Sequence, residues 1–333
     1  MTTRIGINGF GRMGRAAFRI IHDRQLDLEI VAINELGAPA TMANLLARDS
    51  VHGRFGAKVT PVEGGIDVDG RLVRFLAQPD PAKLPWGELD VDVVLEATGR
   101  FRTRAGAAAH LEAGAHRVIV SAPCKDADAT FVIGVNEVDF DATAHYVISN
   151  ASCTTNCLAP MAKVLQDSFG IEQGLITTVH AYTGDQSLVD SPHKDPRRAR
   201  AAALNIVPTS TGAARATSAV IPALEGRLDG TALRVPVADG SITDLVVLVQ
   251  RETSVAEVNA AFAEAARGPF ANVLEYSSEP LVSTDIVGSP ASCVFDAPLT
   301  MVGGRLVKVF GWYDNEWGYA NRLVELAKLV GHR

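Results

Sequence analysis

Cysteine is scarce in this chain. Four cysteines, at positions 124, 153, 157 and 293, are too few and too scattered for a disulfide framework. That scarcity fits a reducing compartment, the cytoplasm, where a free thiolate survives. Long apolar runs are also missing, and no segment approaches the roughly 20 residues a membrane span needs. The opening Met1-Thr2-Thr3-Arg4 passes straight into a strand without the apolar stretch of a secretion signal. Positive charge is in deficit: 31 Lys and Arg against 38 Asp and Glu leave a net charge of −7, which argues against nucleic acid as a partner. Repeats and low-complexity segments are absent as well.

The remaining composition is that of a folded protein. Hydrophobic residues make up 47% and charged residues 21% of 333, enough for two domains with a core each. Residues 1–150 alternate apolar runs with helical stretches. Arg4–Asn8, Glu29–Asn34, Val91–Leu95 and Val118–Ser121 read as strands, and Arg12–Arg24 and Thr103–Ala113 as helices. Such alternation predicts an α/β domain, a Rossmann-type doubly wound parallel sheet. In residues 151–315 the strand-like runs Leu175–His180, Thr231–Val237, Thr243–Gln250 and Leu306–Trp312 lack regular crossover helices. They predict a second, α+β domain with a mostly antiparallel sheet. Ser254–Arg267 and Tyr319–Val330 are amphipathic, and the last helix, within 316–333, is expected to pack back on the first domain.

Two segments carry chemistry. The turn Gly9-Phe10-Gly11-Arg12-Met13-Gly14 follows a strand and opens a helix, and Glu35 stands 21 positions beyond Gly14, at the end of the next strand. This is the pattern of a dinucleotide site: the glycines admit the pyrophosphate, the helix N-terminus supplies donors, and the carboxylate takes the ribose hydroxyls. A carboxylate there also repels a 2′-phosphate and favours NAD over NADP. A tight turn with no ligand would show the same glycines.

The second segment is Ser152-Cys153-Thr154-Thr155-Asn156-Cys157. Cys153 at a helix start gains thiolate character from the helix N-terminus, and His180, at a strand end before a polar loop, is the best base among eight histidines. A nucleophilic thiol and a hydride acceptor together oxidise an aldehyde to a thioester. Cys153 also reads as a small buried hydrophobe, and His180 as a structural residue. Cys153 and Cys157 at i, i+4 are half of a metal site without the second ligand pair, so no metal is expected. Thr209, Ser210, Thr211 and Gly212 feed a helix at Ala213, an anion-binding arrangement, with Arg198 and Arg234 as candidate guanidinium partners. The neighbouring Lys194, Arg197 and Arg200 read as a solvated or subunit-facing charge run.

With these residues in place, the chain resembles the phosphorylating glyceraldehyde-3-phosphate dehydrogenases over nearly its whole length. The resemblance rests on Ile7–Arg12, Ala97-Thr98-Gly99, Ser152–Cys157, His180–Thr183, Thr211–Ala214, Arg234-Val235-Pro236 and Tyr313–Tyr319. It implies an oxidoreductase that converts glyceraldehyde 3-phosphate, NAD and inorganic phosphate to 1,3-bisphosphoglycerate and NADH through a Cys153 thioester. His180 would be the base. Gly9, Gly11, Arg12, Met13, Gly14, Glu35, Ser121 and Asn315 would serve the cofactor, Asn315 at its carboxamide. Thr183 and Arg234 would hold the substrate phosphate, and Ser152, Thr154, Arg198, Thr211 and Gly212 the attacking phosphate. The backbone N–H of Cys153 would stabilise the oxyanion. Relatives of this type are homotetramers, with residues 182–206 near a neighbouring subunit's cofactor.

The chain departs from the common pattern at three places. Asn34-Glu35-Leu36 resembles erythrose-4-phosphate dehydrogenase, which makes that tetrose an alternative substrate. Pro79 stands where many relatives carry an Arg at the adenosine end, which removes a cation there. Ser191-Pro192 differs from both the NAD and the dual-cofactor patterns and leaves some tolerance for NADP. A role of another class, an NAD-binding thiol that senses oxidants or an interaction protein, needs no phosphate sites at all.

Overall fold

The computed structural model describes residues 2–331. Two compact units emerge. The first comprises residues 2–131, 137–151 and 320–331 of those described, and the second residues 132–136 and 152–319. The division near residue 150 therefore falls between Ala151 and Ser152. The short segment 132–136 belongs with the second unit, and the chain re-enters the first at Ala320 rather than at 316.

The first unit holds β1 (Thr3–Asn8), α1 (Arg12–Asp23), β2 (Leu28–Asn34), α2 (Pro39–Ala47) and a small ribbon of β3 (Arg48–Asp49) and β4 (Gly53–Arg54). An antiparallel meander follows: β5 (Val59–Val62), β6 (Gly65–Val68) and β7 (Arg71–Leu76). Then come β8 (Val93–Glu96), α3 (Arg104–Glu112), β9 (Arg117–Val120), β10 (Ala129–Thr130) and β11 (Val147–Ser149). The sheet order is β10-β11-β9-β8-β1-β2-β7-β6-β5. From β10 to β7 every neighbour is parallel, and β6 and β5 extend the edge antiparallel. β8 and β9 are buried along their whole length, as strands covered on both faces must be. Chain order reverses beside β1, so the crevice at the carboxyl ends of β1, β2 and β8 is the place where this architecture binds ligands.

A buried polar chain fixes that end of the sheet. Trp86 Nε1 donates to His110 Nδ1 at 2.9 Å. This leaves His110 Nε2 to carry the proton, and it meets Glu96 Oε2 at 3.0 Å. The same oxygen accepts from Asn8 Nδ2 at 2.6 Å, and Asn8 Oδ1 accepts from Asn34 Nδ2 at 2.7 Å. Glu96 Oε1 accepts from the Thr98 amide at 2.9 Å and from the Thr98 hydroxyl. His110 is fully buried, and Glu96 and Asn8 almost so. Donors from Asn8, Thr98 and His110 surround the buried Glu96 side chain, which satisfies its oxygens.

The second unit starts at α4 (Cys153–Phe169), capped by Ser152. It continues through β12 (Ile171–Ala181), β13 (Val207–Ser210), α5 (Ala213–Val220), β14 (Leu228–Val235), β15 (Ser241–Val249) and α6 (Val255–Arg267). β16 (Leu274–Ser277), the one-turn α7 (Ser283–Ile286), β17 (Cys293–Asp296), β18 (Met301–Gly303) and β19 (Leu306–Tyr313) complete it, and α8 (Trp317–Gly331) passes into the first unit at Ala320. The sheet order is β13-β14-β12-β15-β19-β17-β16, with β18 on β19. β14 runs parallel to β12 and β16 to β17; the other pairs are antiparallel. On α8, Leu323, Leu326 and Val330 are fully buried. That helix is tied to the first unit by Arg24 to Asn321 (2.9 Å) and Arg117 to the Val330 carbonyl (3.1 Å). His332 and Arg333, the end of the expected helix 316–333, lie outside the described residues.

Replacing His110 by Leu strands the Trp86 N–H and removes a donor from Glu96. Unsatisfied buried groups cost about 1–3 kcal/mol each, so a loss of at least about 2 kcal/mol is expected in urea unfolding. Equal stability of the variant and the parent would contradict the role given to this chain.

Candidate active site

The glycine turn sits between β1 and α1. Gly9 has φ +94°, and a Cβ there would meet the Thr98 nitrogen at 2.7 Å. A Cβ on Gly14 would run into the Gly9 carbonyl, whereas Gly11 has nothing within 4 Å. Two glycines thus allow close backbone approach, and the third faces open space at the start of α1. No side chain caps that helix. Its N–H groups and positive end face the space a pyrophosphate needs.

Beside the turn lies a cavity of about 260 Å³. Gly9, Gly11, Asn8, Asn34, Glu35 and Thr98 line it, so the buried polar chain sets its floor. Glu35 is held by two backbone donors, Phe10 N–H on Oε2 (2.9 Å) and Gly37 N–H on Oε1 (3.2 Å). Each oxygen keeps a second lone pair for a ribose hydroxyl. Pro79 lines the same cavity, and so does Arg100. Pro79 brings no cation to this cavity, and Arg100 is the basic residue on its lining. Arg12 is committed elsewhere: its guanidinium grips the Asp49 carboxylate, which also accepts from Val51 and His52 N–H. Burial opposes ionisation of Asp49, yet Arg12 and those amides hold it well below the ordinary carboxylate range. Met13 is half-buried on α1, and Ser121 follows β9 with its N–H on the Glu96 carbonyl (3.0 Å). These residues fit a dinucleotide in shape and in donors.

The thiol lies in the second unit. Ser152 Oγ accepts the Thr155 N–H at 3.1 Å and starts α4 with Cys153 as its first residue. Cys153 Sγ stands 3.3 Å from His180 Nε2. His180 Nδ1 lies 2.7 Å from the Ala181 carbonyl, which can only accept, so Nδ1 carries the proton and Nε2 turns its lone pair to the sulfur. Arg234 Nη1 is 3.2 Å from Nδ1 but donates to the Ala181 carbonyl (3.2 Å) and to Thr183 Oγ1 (2.9 Å). Its approach to an already protonated nitrogen is proximity and not a hydrogen bond. Strand register produces this grouping, because His180 on β12 pairs with Arg234 on β14.

Burial lowers the His180 pKa to about 3, and the nearby Arg234 charge acts in the same direction. Burial likewise raises the Cys153 thiol. Arg234, Thr154 and the backbone N–H groups of Thr154 and Cys153 pull it back without reversing the shift. The resting pair is therefore a thiol facing a neutral imidazole, set for proton transfer when the sulfur attacks.

Around this pair, the second unit assembles most of the other candidates. Thr183, Arg198 and Arg234 are joined through Asp185, which accepts from the Thr183 hydroxyl and from Arg198 Nη1. Arg198 Nε also donates to Thr209 Oγ1 at 3.0 Å. Thr211 Oγ1 accepts the Ala213 N–H at 3.2 Å, and Gly212 precedes α5 with open space beyond its Cα. The Thr154 hydroxyl turns inward instead, 3.0 Å from the Tyr313 phenol, which lies 2.7 Å from Thr178 Oγ1. Asn315 is tied to the histidine strand: the Ala181 N–H donates to Ser241 Oγ (3.0 Å), and Ser241 donates to Asn315 Oδ1 (2.6 Å). That bond orients the Asn315 amide with its NH2 as the free donor face. Cys157 is buried against Met161 and the Gly311 carbonyl, apart from Cys153's partner. Ser241, Tyr313, Asp185 and Asp49 were not singled out by sequence. Asp185, two residues beyond Thr183, and Tyr313, at the head of the Tyr313–Tyr319 motif, carried a local signal.

Gly14→Ala is expected to abolish NAD binding in a fluorescence titration while secondary structure is retained, because the Gly9 carbonyl cannot yield; normal affinity would contradict the turn geometry. A second expectation concerns pH. Below about 6.5 the unfolded chain protonates His180 and the folded chain does not, so stability falls as pH falls toward 3. His180→Asn should flatten the stability–pH curve between pH 6 and 4 by up to about one proton, or about 1.4 kcal/mol per pH unit. Parallel curves would show that His180 is not buried neutral.

Family models match both halves of the chain. Residues 3–104 match "Glyceraldehyde 3-phosphate dehydrogenase, NAD binding domain", and residues 152–315 match "Glyceraldehyde 3-phosphate dehydrogenase, C-terminal domain". Glyceraldehyde-3-phosphate dehydrogenase 2 of Streptomyces arenae is 60% identical over 331 residues, 99% of each chain. The enzyme of Streptomyces coelicolor is 57% identical over the full length of both chains. That of Geobacillus stearothermophilus is 53% identical over 100% of this chain and 99% of its own. With both halves matched and full-length identity of this order, the chain belongs to the glyceraldehyde-3-phosphate dehydrogenase family.

Proposed function

We propose that this protein oxidises glyceraldehyde 3-phosphate with NAD and captures the product with inorganic phosphate, giving 1,3-bisphosphoglycerate and NADH. The observation that carries the reading is the 3.3 Å approach of Cys153 Sγ to the unprotonated nitrogen of His180. As the sulfur bonds to the aldehyde carbon, the thiol proton passes through His180 to the carbonyl oxygen, leaving a thiohemiacetal. The N–H groups at the start of α4 stabilise the charge that develops on that oxygen. His180 Nε2 then removes the hydroxyl proton while the carbon loses its hydride. NAD, when bound, supplies the acceptor for that hydride. The thioester that remains is attacked by a phosphate oxygen. The Cys153 sulfur leaves as thiolate and recovers its proton from His180, so the chain returns to its starting state.

Thr183 and Arg234 hold the substrate phosphate in this reading, the guanidinium matching the anion in charge and geometry. Ser152, Thr154, Arg198, Thr211 and Gly212 serve the attacking phosphate. Thr154 does so through its backbone N–H, since its hydroxyl is turned to Tyr313. Gly9, Gly11 and Gly14, with the backbone N–H groups of Arg12 and Met13 at the start of α1, receive the pyrophosphate. Glu35 takes the ribose hydroxyls, Ser121 flanks the cofactor, and Asn315 donates to the carboxamide. The fixed Glu35 carboxylate favours NAD over NADP.

The protein works as a homotetramer in the cytoplasm. Leu188 and Leu204 are 84% and 82% exposed, and Val189 and Ile206 lie nearby in sequence, also exposed. Apolar side chains so displayed mark a surface that a neighbouring subunit covers. No helix among the described residues is long and apolar enough to cross a membrane.

Steady-state NADH production from glyceraldehyde 3-phosphate and from erythrose 4-phosphate, with inorganic phosphate varied, tests the assignment. The triose should give the higher kcat/KM, phosphate should be required for sustained turnover, and NAD should outperform NADP. A tetrose preference or phosphate-independent turnover would overturn it. Cys153→Ser should abolish turnover, and His180→Asn should slow hydride transfer by about 10²–10⁴-fold in a single turnover. An unchanged rate in either variant would remove that residue from the chemistry.

A further inference from the structure

Two residues of the phosphate sites share a partner that the reaction does not use. Asp185, in the loop after β12, accepts the Thr183 hydroxyl on Oδ1 and Arg198 Nη1 on Oδ2. In the reading above Thr183 belongs to the substrate-phosphate site and Arg198 to the attacking-phosphate site. One carboxylate therefore spans both. Burial opposes its ionisation, but Thr183, Arg198 and Arg234 hold its carboxyl below the ordinary carboxylate range, so it is charged.

We propose that Asp185 is a resident counter-anion that competes with inorganic phosphate for Arg198 and Thr183 and thereby sets the affinity of the phosphate sites. This rests on the functional reading above. Its Oδ atoms stand where phosphate oxygens would take the same two donors. The Asp185 side chain is 44% exposed, so it can turn to water when a dianion arrives. Arg198 is not released when it does. Its Nε remains 3.0 Å from Thr209 Oγ1, and Thr209 donates to Asp195 Oδ2 at 2.8 Å, so the guanidinium stays aimed. Arg234 likewise keeps the Ala181 carbonyl. The device keeps the site charge-balanced and ordered when empty. Its cost is weaker anion binding, which also eases departure of a doubly phosphorylated product.

Calorimetric titration of the intact protein with inorganic phosphate tests this without turnover. Asp185→Asn should lower the phosphate Kd about two- to fivefold, the range of a partly exposed ion pair. Asp185→Ser, shorter and also neutral, should shift it in the same direction, and Asp185→Glu should stay near the parent value. In an Arg198→Ala background the Asp185→Asn effect should shrink, since only the Thr183 hydroxyl is then contested. An unchanged or raised Kd in the neutral variants, or the same shift with Arg198 absent, would overturn the proposal. Failure of the functional reading would look different: no NADH from the triose, with the phosphate titration still answering.

Discussion

The chemistry depends on one hydrogen bond, from His180 Nδ1–H to the Ala181 carbonyl. It fixes the tautomer, and the tautomer decides whether the nitrogen facing Cys153 can take a proton. In the other tautomer, Nε2 would donate toward the sulfur and have no lone pair for the thiol or for a thiohemiacetal. The same carbonyl accepts from Arg234, so the group that orients the imidazole also places the Arg234 guanidinium. Parallel pairing of β12 with β14 supplies this shared arrangement, and the antiparallel pairing with β15 brings Ser241 under the Ala181 amide.

Charge is managed differently in the two units. The first unit buries a carboxylate, Glu96, inside a complete set of donors and so holds the crevice at the end of the parallel sheet rigid. Two further carboxylates there, Glu35 and Asp49, are held by backbone amides. In the second unit Arg198 lies against Asp185 and Thr209, and Arg234 against Thr183 and the Ala181 carbonyl. Rigid acids suit a ligand recognised by its hydroxyls, and exchangeable partners suit anions that must enter and leave in every cycle.

The glycine turn was legible because its cause is local. A left-handed Gly9 and the lack of room at Gly14 are visible as glycines between a strand and a helix. Cys153 at a helix start and His180 at a strand end were legible for the same reason. The antiparallel meander at residues 59–76 was not, since Pro61 and the surrounding glycines conceal its alternation. Long-range pairs left no trace in the sequence. Ser241 and Asn315 are 74 positions apart, Arg12 and Asp49 are 37, and register alone joins them. The resemblance named Thr154 and Arg12 as ligand contacts. Their side chains engage Tyr313 and Asp49, partners that only folding supplies.

The central claim is that Cys153 carries the acyl group between oxidation and phosphate capture. Mixing the protein with NAD and glyceraldehyde 3-phosphate in phosphate-free buffer, then quenching in acid and mapping peptides by mass spectrometry, examines it directly. One NADH per active thiol, with a phosphoglyceryl adduct on the Cys153 peptide that disappears when phosphate is added before the quench, is the predicted result. NADH formed with no adduct on that peptide, or an adduct on another residue, would contradict it.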